Sequence, residues 1–226
     1  MDKIYGPLVI NLDKRKDRLE TVTNEFKRMS IENIHRIAAS TGGGDAALGC
    51  LESHCLCLEY FLETSGKEKA VMICEDDALF KCDRQDLDKY IEEFLQDEGA
   101  EVACLGFNSK KNEIYPTTEL FLRARDIQTR VCYIVKRSIA TELNTLWRKI
   151  CELRKTKPAK HSVNWYSTAY NALPITNRYP GIDMYRGDQS WKILQQDKIF
   201  LIPKTRLVIQ RPCYSDIEKC NVNYRV

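Results

Sequence analysis

Short apolar runs with the character of strands alternate with amphipathic helical segments along most of the chain. "GPLVINL" precedes a helical pattern over residues 15–29, and "AVMIC" precedes another near residues 86–96. "EVACLGF", "RVCYIV" and "KIFLI" are further strand-like runs, and residues 138–153 carry apolar side chains on one helical face. Because strands that alternate with helices are typical of a sheet covered by helices, we predict an α/β sandwich with a mostly parallel central sheet.

Two further predictions concern strand pairing and domain organisation. We expect "LFLRA" and "RVCYIV" to pair around a polar turn, and "RLVIQ" to complete the core. The chain contains no internal repeat and no clear change of composition, so residues 1–226 are predicted to form a single domain.

Charge and hydropathy exclude several classes of protein. The 35 basic and 32 acidic residues nearly balance, which does not indicate a nucleic-acid-binding surface. No apolar run is long enough to cross a bilayer, and the N-terminus lacks the pattern of a secretory signal. We therefore expect a cytoplasmic protein without a transmembrane segment, whose ten cysteines remain thiols.

Three consecutive carboxylates, which we call the acidic turn, follow the buried run "AVMIC": Glu75, Asp76 and Asp77. Ligand sites in α/β sheets lie beyond the carboxyl ends of strands, where this turn is expected. Carboxylate oxygens suit Mg²⁺ or Mn²⁺, particularly when a bound phosphate supplies further ligands. A solvated turn that caps the following helix explains the three acids equally well.

Basic and acidic residues elsewhere suggest partners for such a site. Arg15 and Arg18 lie one helical turn apart directly after the first strand, where a phosphate would be bound; a solvated helix face is the alternative. Asp183 and Asp188 flank a glycine turn late in the chain, and a carboxylate there would serve as a general base. Turn and capping roles fit each aspartate as well.

One helical segment contains residues with metal-binding chemistry. Cys50, His54 and Cys57 fall at positions i, i+4 and i+7, which could form a zinc site, although packing of the same face is the favoured explanation. Ser53 and His54 also form a polar pair close to the glycine-rich loop at residues 42–44.

Ordered blocks from residue 8 to about residue 217 together resemble glycosyltransferase family 25. "VINLDKRKDRLETV" resembles its opening "INLxxRxxR" segment, and "RIAAS" with "LGCLESHCLCLEYF" is similar to its next two blocks. "VMICEDDALF" and "RVCYIVKRSIATEL" resemble its acidic block and the strand–helix element after it. "GID", the proline in "FLIPKTRLVIQ" and a closing "SDI" complete the order.

The resemblance implies a GT-A type nucleotide-sugar fold and a metal-dependent, inverting transfer of a hexose. It implies a UDP-hexose donor, Mn²⁺ or Mg²⁺ as cofactor, and a glycan or glycoprotein acceptor. A catalytically degenerate nucleotide-sugar or glycan-binding protein is the alternative.

The resemblance also assigns roles to individual residues. Asp77 and Glu75 are the implied metal ligands, supported by Asp76. The implied nucleotide-binding residues are Asn11, Arg15 and Arg18, with Ser53 and His54 near the donor sugar, and the implied base is Asp183 or Asp188. The chain departs from the pattern after its last strand, where Gln210 stands in the region in which many such enzymes have a histidine ligand.

Overall fold

The computed structural model describes residues 4–109, 114–156, 186–215 and 219–223. Its centre is an eight-stranded sheet with helices against both faces. The strands in chain order are β1 Tyr5–Asn11, β2 His35–Ala38, β3 Ala70–Glu75, β4 Ala78–Phe80, β5 Ala100–Cys104, β6 Ile114–Pro116, β7 Phe121–Ala124, β8 Cys132–Lys136, β9 Ile199–Pro203, β10 Val208–Gln210, β11 Cys213–Ser215 and β12 Cys220–Val222. The α-helices are α1 Lys16–Arg28, α2 Ala46–Thr64, α3 Arg84–Gln96, α4 Arg137–Thr156 and α5 Gly187–Ser190. Short 3₁₀ helices cover Gly42–Gly44 and Trp191–Gln196.

The strand order of the central sheet is β2-β1-β3-β8-β5-β9-β7-β6. Parallel pairs join β1 to β2 and to β3, and β5 to β9. Strand β8 runs antiparallel between β3 and β5, and β7 runs antiparallel between β9 and β6. All strands except β8 and β7 therefore point the same way, and the predicted sandwich with a mostly parallel sheet is confirmed.

The strand pairing differs from the sequence prediction in one place. The expected pairing of "LFLRA" with "RVCYIV" is wrong, because β5 and β9 lie between β7 and β8. The second half of "RLVIQ" forms β10, which pairs with β4 outside the central sheet, and its Val208 lies in the core. Arg186, rather than Asp188, precedes α5 as its capping residue, so Asp188 lies within the first turn of that helix.

Alternation along β3 determines where the acidic turn directs its side chains. Val71 and Ile73 belong to the part of the core beneath α2 and α4, whereas Met72 and Cys74 belong to the part beneath α1 and α3. Because successive side chains on a strand point to opposite faces, Glu75 continues toward α2 and the residue after it toward α1.

The N-terminus of α2 is closed by two features. The Asp45 side chain accepts hydrogen bonds from the amides of Ala47 and Leu48, as an aspartate at the N-cap position does. Gly49 lies so close to the preceding loop that a Cβ atom there would be 2.4 Å from the carbonyl oxygen of Ser40. The helix is therefore seated tightly on the loop that follows β2.

Two general features of the chain complete the description. All ten cysteines are free thiols. None of the helices in the described ranges combines the length and the apolar character that a membrane span requires.

Candidate active site

The acidic turn lies at the carboxyl end of β3, next to the carboxyl end of β1. Asn11, the last residue of β1, donates one hydrogen bond from Nδ2 to Asp76 Oδ2 at 2.8 Å and one to the carbonyl oxygen of Arg15 at 2.9 Å. The two parallel strands thus bring a predicted nucleotide-binding residue and a predicted metal-supporting residue into direct contact.

Arg18 supplies positive charge to the turn from α1. Its Nη1 donates to Asp76 Oδ1 at 2.8 Å and lies 3.7 Å from Asp77 Oδ2, while Nη2 donates to the carbonyl oxygen of Tyr214 at 2.6 Å. Burial lowers the pKa of Arg18, but the two carboxylates outweigh burial and raise it above its usual value. The chain itself therefore compensates part of the charge for which the sequence suggested a metal.

Asp77 is the least satisfied member of the turn. It is only 5% exposed, and Gln210 Nε2 donates to its Oδ2 at 3.0 Å. Its Oδ1 is buried and has no hydrogen-bond partner among the described residues. Burial, and then the nearby charge of Glu75, raise the pKa of Asp77 to about 7. An oxygen in this position is suited to a proton or a cation.

Glu75 points to the opposite side of the sheet, where it meets α2. Its Oε1 lies 3.1 Å from His54 Nε2 and 3.7 Å from Cys50 Sγ. His54 is fully buried, and its Nδ1 forms a hydrogen bond of 2.9 Å with the Tyr133 hydroxyl. Burial, helped by the charge of Arg130, lowers the pKa of His54 well below its usual value, so the imidazole is neutral.

Arg130 and Asp188 complete this second side of the turn. Arg130, in the segment before β8, donates from Nη2 to Cys50 Sγ at 3.3 Å and lies over the Trp147 ring. Burial raises the pKa of Glu75; the charge of Arg130 opposes this rise and that of Asp188 adds to it. Helix α5 therefore holds Asp188 within electrostatic range of Glu75.

The remaining predicted residues have different surroundings. The buried Ser53 hydroxyl donates to the carbonyl oxygen of Gly49 at 2.6 Å and accepts from the amide of Ser40 at 2.9 Å, so it connects α2 to its preceding loop. Arg15 makes hydrogen bonds to the Asp17 carboxylate, and its side chain is 18% exposed. Asp183 lies outside the described residues.

Sequence reasoning did not identify Arg130 as part of the site. It is the first residue of the block "RVCYIVKRSIATEL", to which the resemblance gave no site role, and its neighbours Cys50 and Glu75 are distant in the chain. Only the placement of β8 beside β3 brings it to the acidic turn.

No protein-family model and no curated protein matches the chain. Among solved structures, it is similar to mannose-1-phosphate geranyltransferase from Thermus thermophilus, with 11% identity, coverage of 92% of this chain and 74% of that one, and a TM-score of 0.45. It is also similar to a glycosyltransferase involved in glycosylation of the major capsid of PBCV-1, with 12% identity, coverage of 92% and 93%, and a TM-score of 0.43. Mouse xyloside xylosyltransferase 1 gives 8% identity, coverage of 85% and 69%, and a TM-score of 0.40.

Proposed function

We propose that residues 1–226 form a glycosyltransferase domain of the family 25 type, which moves a hexose from a UDP-sugar to a hydroxyl group of a glycan or glycoprotein. One observation carries the proposal: the carboxyl ends of β1 and β3 join Asn11, Arg18, Asp76 and Asp77 in a single hydrogen-bonded and ion-paired group. This is the edge of an α/β sheet at which nucleotides bind.

The connection from β1 to α1 supports binding of the donor diphosphate. Arg15 immediately precedes α1, and the unpaired amides of a helix N-terminus favour anions. The Arg15 side chain is partly exposed, so its guanidinium group can contact a phosphate bound at the N-terminus of α1. Arg18 is held inward by Asp76, and it orients the acidic turn.

The oxygen atoms of the turn fit a divalent cation, Mn²⁺ or Mg²⁺. Asp77 Oδ1 is a buried acceptor without a hydrogen-bond partner in the described ranges, and the Glu75 side chain is 24% exposed. We assign Asp77 and Glu75 as the ligands, and Asp76, fixed by its own partners, as the residue that orients them. A bound cation would supply positive charge to the departing diphosphate.

Asp188 is the base that we assign to an inverting transfer. A carboxylate facing the donor site can accept the proton of the acceptor hydroxyl while that hydroxyl attacks the sugar. The influence of Asp188 on the pKa of Glu75 supports this position. Asp183 stays the alternative base, outside the described part of the chain.

A nucleotide-sugar or glycan-binding protein without turnover is the second candidate. Partners within the chain already hold each acid of the turn: Arg18 and Asn11 hold Asp76, Gln210 holds Asp77, and His54 holds Glu75. Such internal compensation favours a turn that is stable without a metal.

The two candidates are separated by an assay of donor turnover. The protein is incubated with Mn²⁺ and a panel of nucleotide hexoses, with and without a mixture of glycan acceptors, and nucleotide diphosphate release is measured. We expect release from a UDP-hexose that is lost in Asp77→Ala and retained in Glu20→Gln, an exposed carboxylate on α1. Thermal stabilisation by the nucleotide without release would favour the binding protein, and absence of both would refute both functions.

A further inference from the structure

Three potential ligand atoms of different chemistry converge between α2 and the end of β3. His54 Nε2 and Cys50 Sγ lie 3.1 Å and 3.7 Å from the same oxygen, Glu75 Oε1, and the three atoms are all within 4.8 Å of one another. Ligand atoms around a tetrahedral zinc ion, with bonds of about 2.0–2.3 Å, are separated by about 3.3–3.6 Å. The two measured distances bracket that range.

Two elements of secondary structure position these three side chains. Cys50 and His54 are four residues apart, so they lie one above the other on the same side of α2. Glu75 reaches them because it is the last residue of β3 and points to the face of the sheet that α2 covers. Cys57 packs in the hydrophobic core, which is the explanation that the sequence favoured, so Glu75 rather than Cys57 lies beside Cys50 and His54.

Outer contacts prepare two of the three atoms for a metal. The Tyr133 hydroxyl is hydrogen-bonded to His54 Nδ1, which directs the other ring nitrogen, Nε2, toward Glu75. A hydrogen bond of this kind orients most metal-binding histidines. Arg130 donates from Nη2 to Cys50 Sγ at 3.3 Å, which fixes the position of the sulfur. Burial raises the pKa of Cys50 to about 12, so metal binding has to displace the thiol proton.

We propose that Cys50, His54 and Glu75 bind a divalent transition-metal ion, with zinc the ion that best suits a thiolate, an imidazole and a carboxylate together. One thiolate and one carboxylate balance the charge of the ion, and Asp188 opposes the charge of Arg130 beside them. The Glu75 side chain is partly exposed, so water or a substrate atom supplies the fourth ligand. Glu75 is also one of the two ligands assigned above to Mn²⁺ or Mg²⁺, so the two sites share its carboxylate, whereas Cys50 and His54 belong to this site alone. Its metal content is measured without any assay of transferase activity.

Metal content and cobalt spectroscopy test the proposal directly. The full chain is produced in zinc-supplemented medium, purified without chelator, and analysed for zinc by mass spectrometry. We expect about one zinc ion per chain, lost in Cys50→Ala. After replacement by Co²⁺, the wild-type protein should show a sulfur-to-cobalt charge-transfer band and the intense visible bands of four-coordinate cobalt.

Two variants separate metal binding from damage to the fold. Cys82→Ala removes another partly buried thiol, whose Sγ contacts the carbonyl oxygen of Leu207, and should keep both the zinc and the cobalt spectrum. Tyr133→Phe removes only the hydrogen bond to His54 and should weaken Co²⁺ binding by about 10- to 100-fold. Folded wild-type protein without zinc and without the sulfur–cobalt band would overturn the proposal, as would equal metal content in Cys50→Ala.

Discussion

Replacing Asp77 with asparagine is predicted to stabilise the protein above neutral pH while it removes the proposed metal ligand. The carboxyl group is 5% exposed, its Oδ1 has no hydrogen-bond partner in the described residues, and burial raises its pKa to about 7. The unfolded chain loses this proton near the usual value of 3.8. The folded protein therefore binds one proton more between these values, and its stability falls as the pH rises through them.

The magnitude follows from the separation of the two pKa values. It is about three pH units, each worth about 1.4 kcal/mol, so complete ionisation of Asp77 costs the folded state about 4 kcal/mol. Between about pH 5 and about pH 8 the loss is about 2–3 kcal/mol. Asparagine carries no charge, but one polar atom of its amide group would take the position of Oδ1, where it would be buried without a hydrogen bond. Such an unpaired group destabilises the folded state by about 1–3 kcal/mol. The stability of Asp77→Asn relative to wild type should thus rise by about 2–3 kcal/mol over this range and become favourable at its upper end.

Urea unfolding of both proteins at the two pH values, in the presence of EDTA, measures this difference. Titrating groups distant from the acidic turn are common to both chains and cancel in the comparison. Glu20→Gln, on the exposed side of α1, is the matched control for loss of a negative charge. A difference between Asp77→Asn and wild type that does not change with pH would refute the assignment of a strained carboxyl group to Asp77.

Three further predictions concern the elements that position the site. Gly49→Ala should destabilise the protein by about 1–3 kcal/mol in thermal or urea unfolding, because the new Cβ would overlap the carbonyl oxygen of Ser40; equal stability would show that the loop moves freely. Asp45→Ala should lower the free energy of unfolding by about 1–2 kcal/mol, because it removes the cap of α2 and the ion pair with Arg154. The same unfolding measurement on Arg154→Met gives the contribution of the ion pair alone. Arg18→Met should destabilise the protein more at about pH 8 than at about pH 5, because the carboxylates beside it ionise with rising pH; a constant loss would contradict its electrostatic role.

Local sequence patterns were sufficient to predict most of the helices and the location of the acidic turn. The pattern over residues 15–29 corresponds to α1 at Lys16–Arg28, and the pattern over residues 138–153 corresponds to α4 at Arg137–Thr156. These features depend on contacts between residues close in the chain, for which spacing and capping chemistry are informative. The placement of β7 beside β9 depends on contacts between distant strands, which the pattern of either strand alone does not specify.

The same distinction applies to the site. The sequence places Glu75, Asp76 and Asp77 at a strand end and Arg18 directly after the first strand, whereas Asn11 enters only through the family resemblance, as a nucleotide-binding residue. The sequence does not predict that the side chains of the acidic turn lie on opposite faces of the sheet. That arrangement depends on the residue at which β3 ends, because side chains point to alternate faces along a strand.

The division of the acidic turn between two faces of the sheet leaves Asp77 as the carboxylate with the least compensation. Arg18 is hydrogen-bonded to Asp76 and forms a longer ion pair with Asp77. Arg130 lies on the other face of the sheet, where its charge acts on Glu75. Two guanidinium groups thus compensate three carboxylates, and the shared one is closer to Asp76. The uncompensated charge falls on Asp77, whose Oδ1 has no hydrogen-bond partner among the described residues. A proton would satisfy this oxygen at low pH, and under the proposed function a cation would do so when a diphosphate is bound. If this account is correct, Mn²⁺ together with a nucleoside diphosphate should stabilise wild type most strongly at about pH 8, where the proton has left, and should have little effect on Asp77→Asn at any pH.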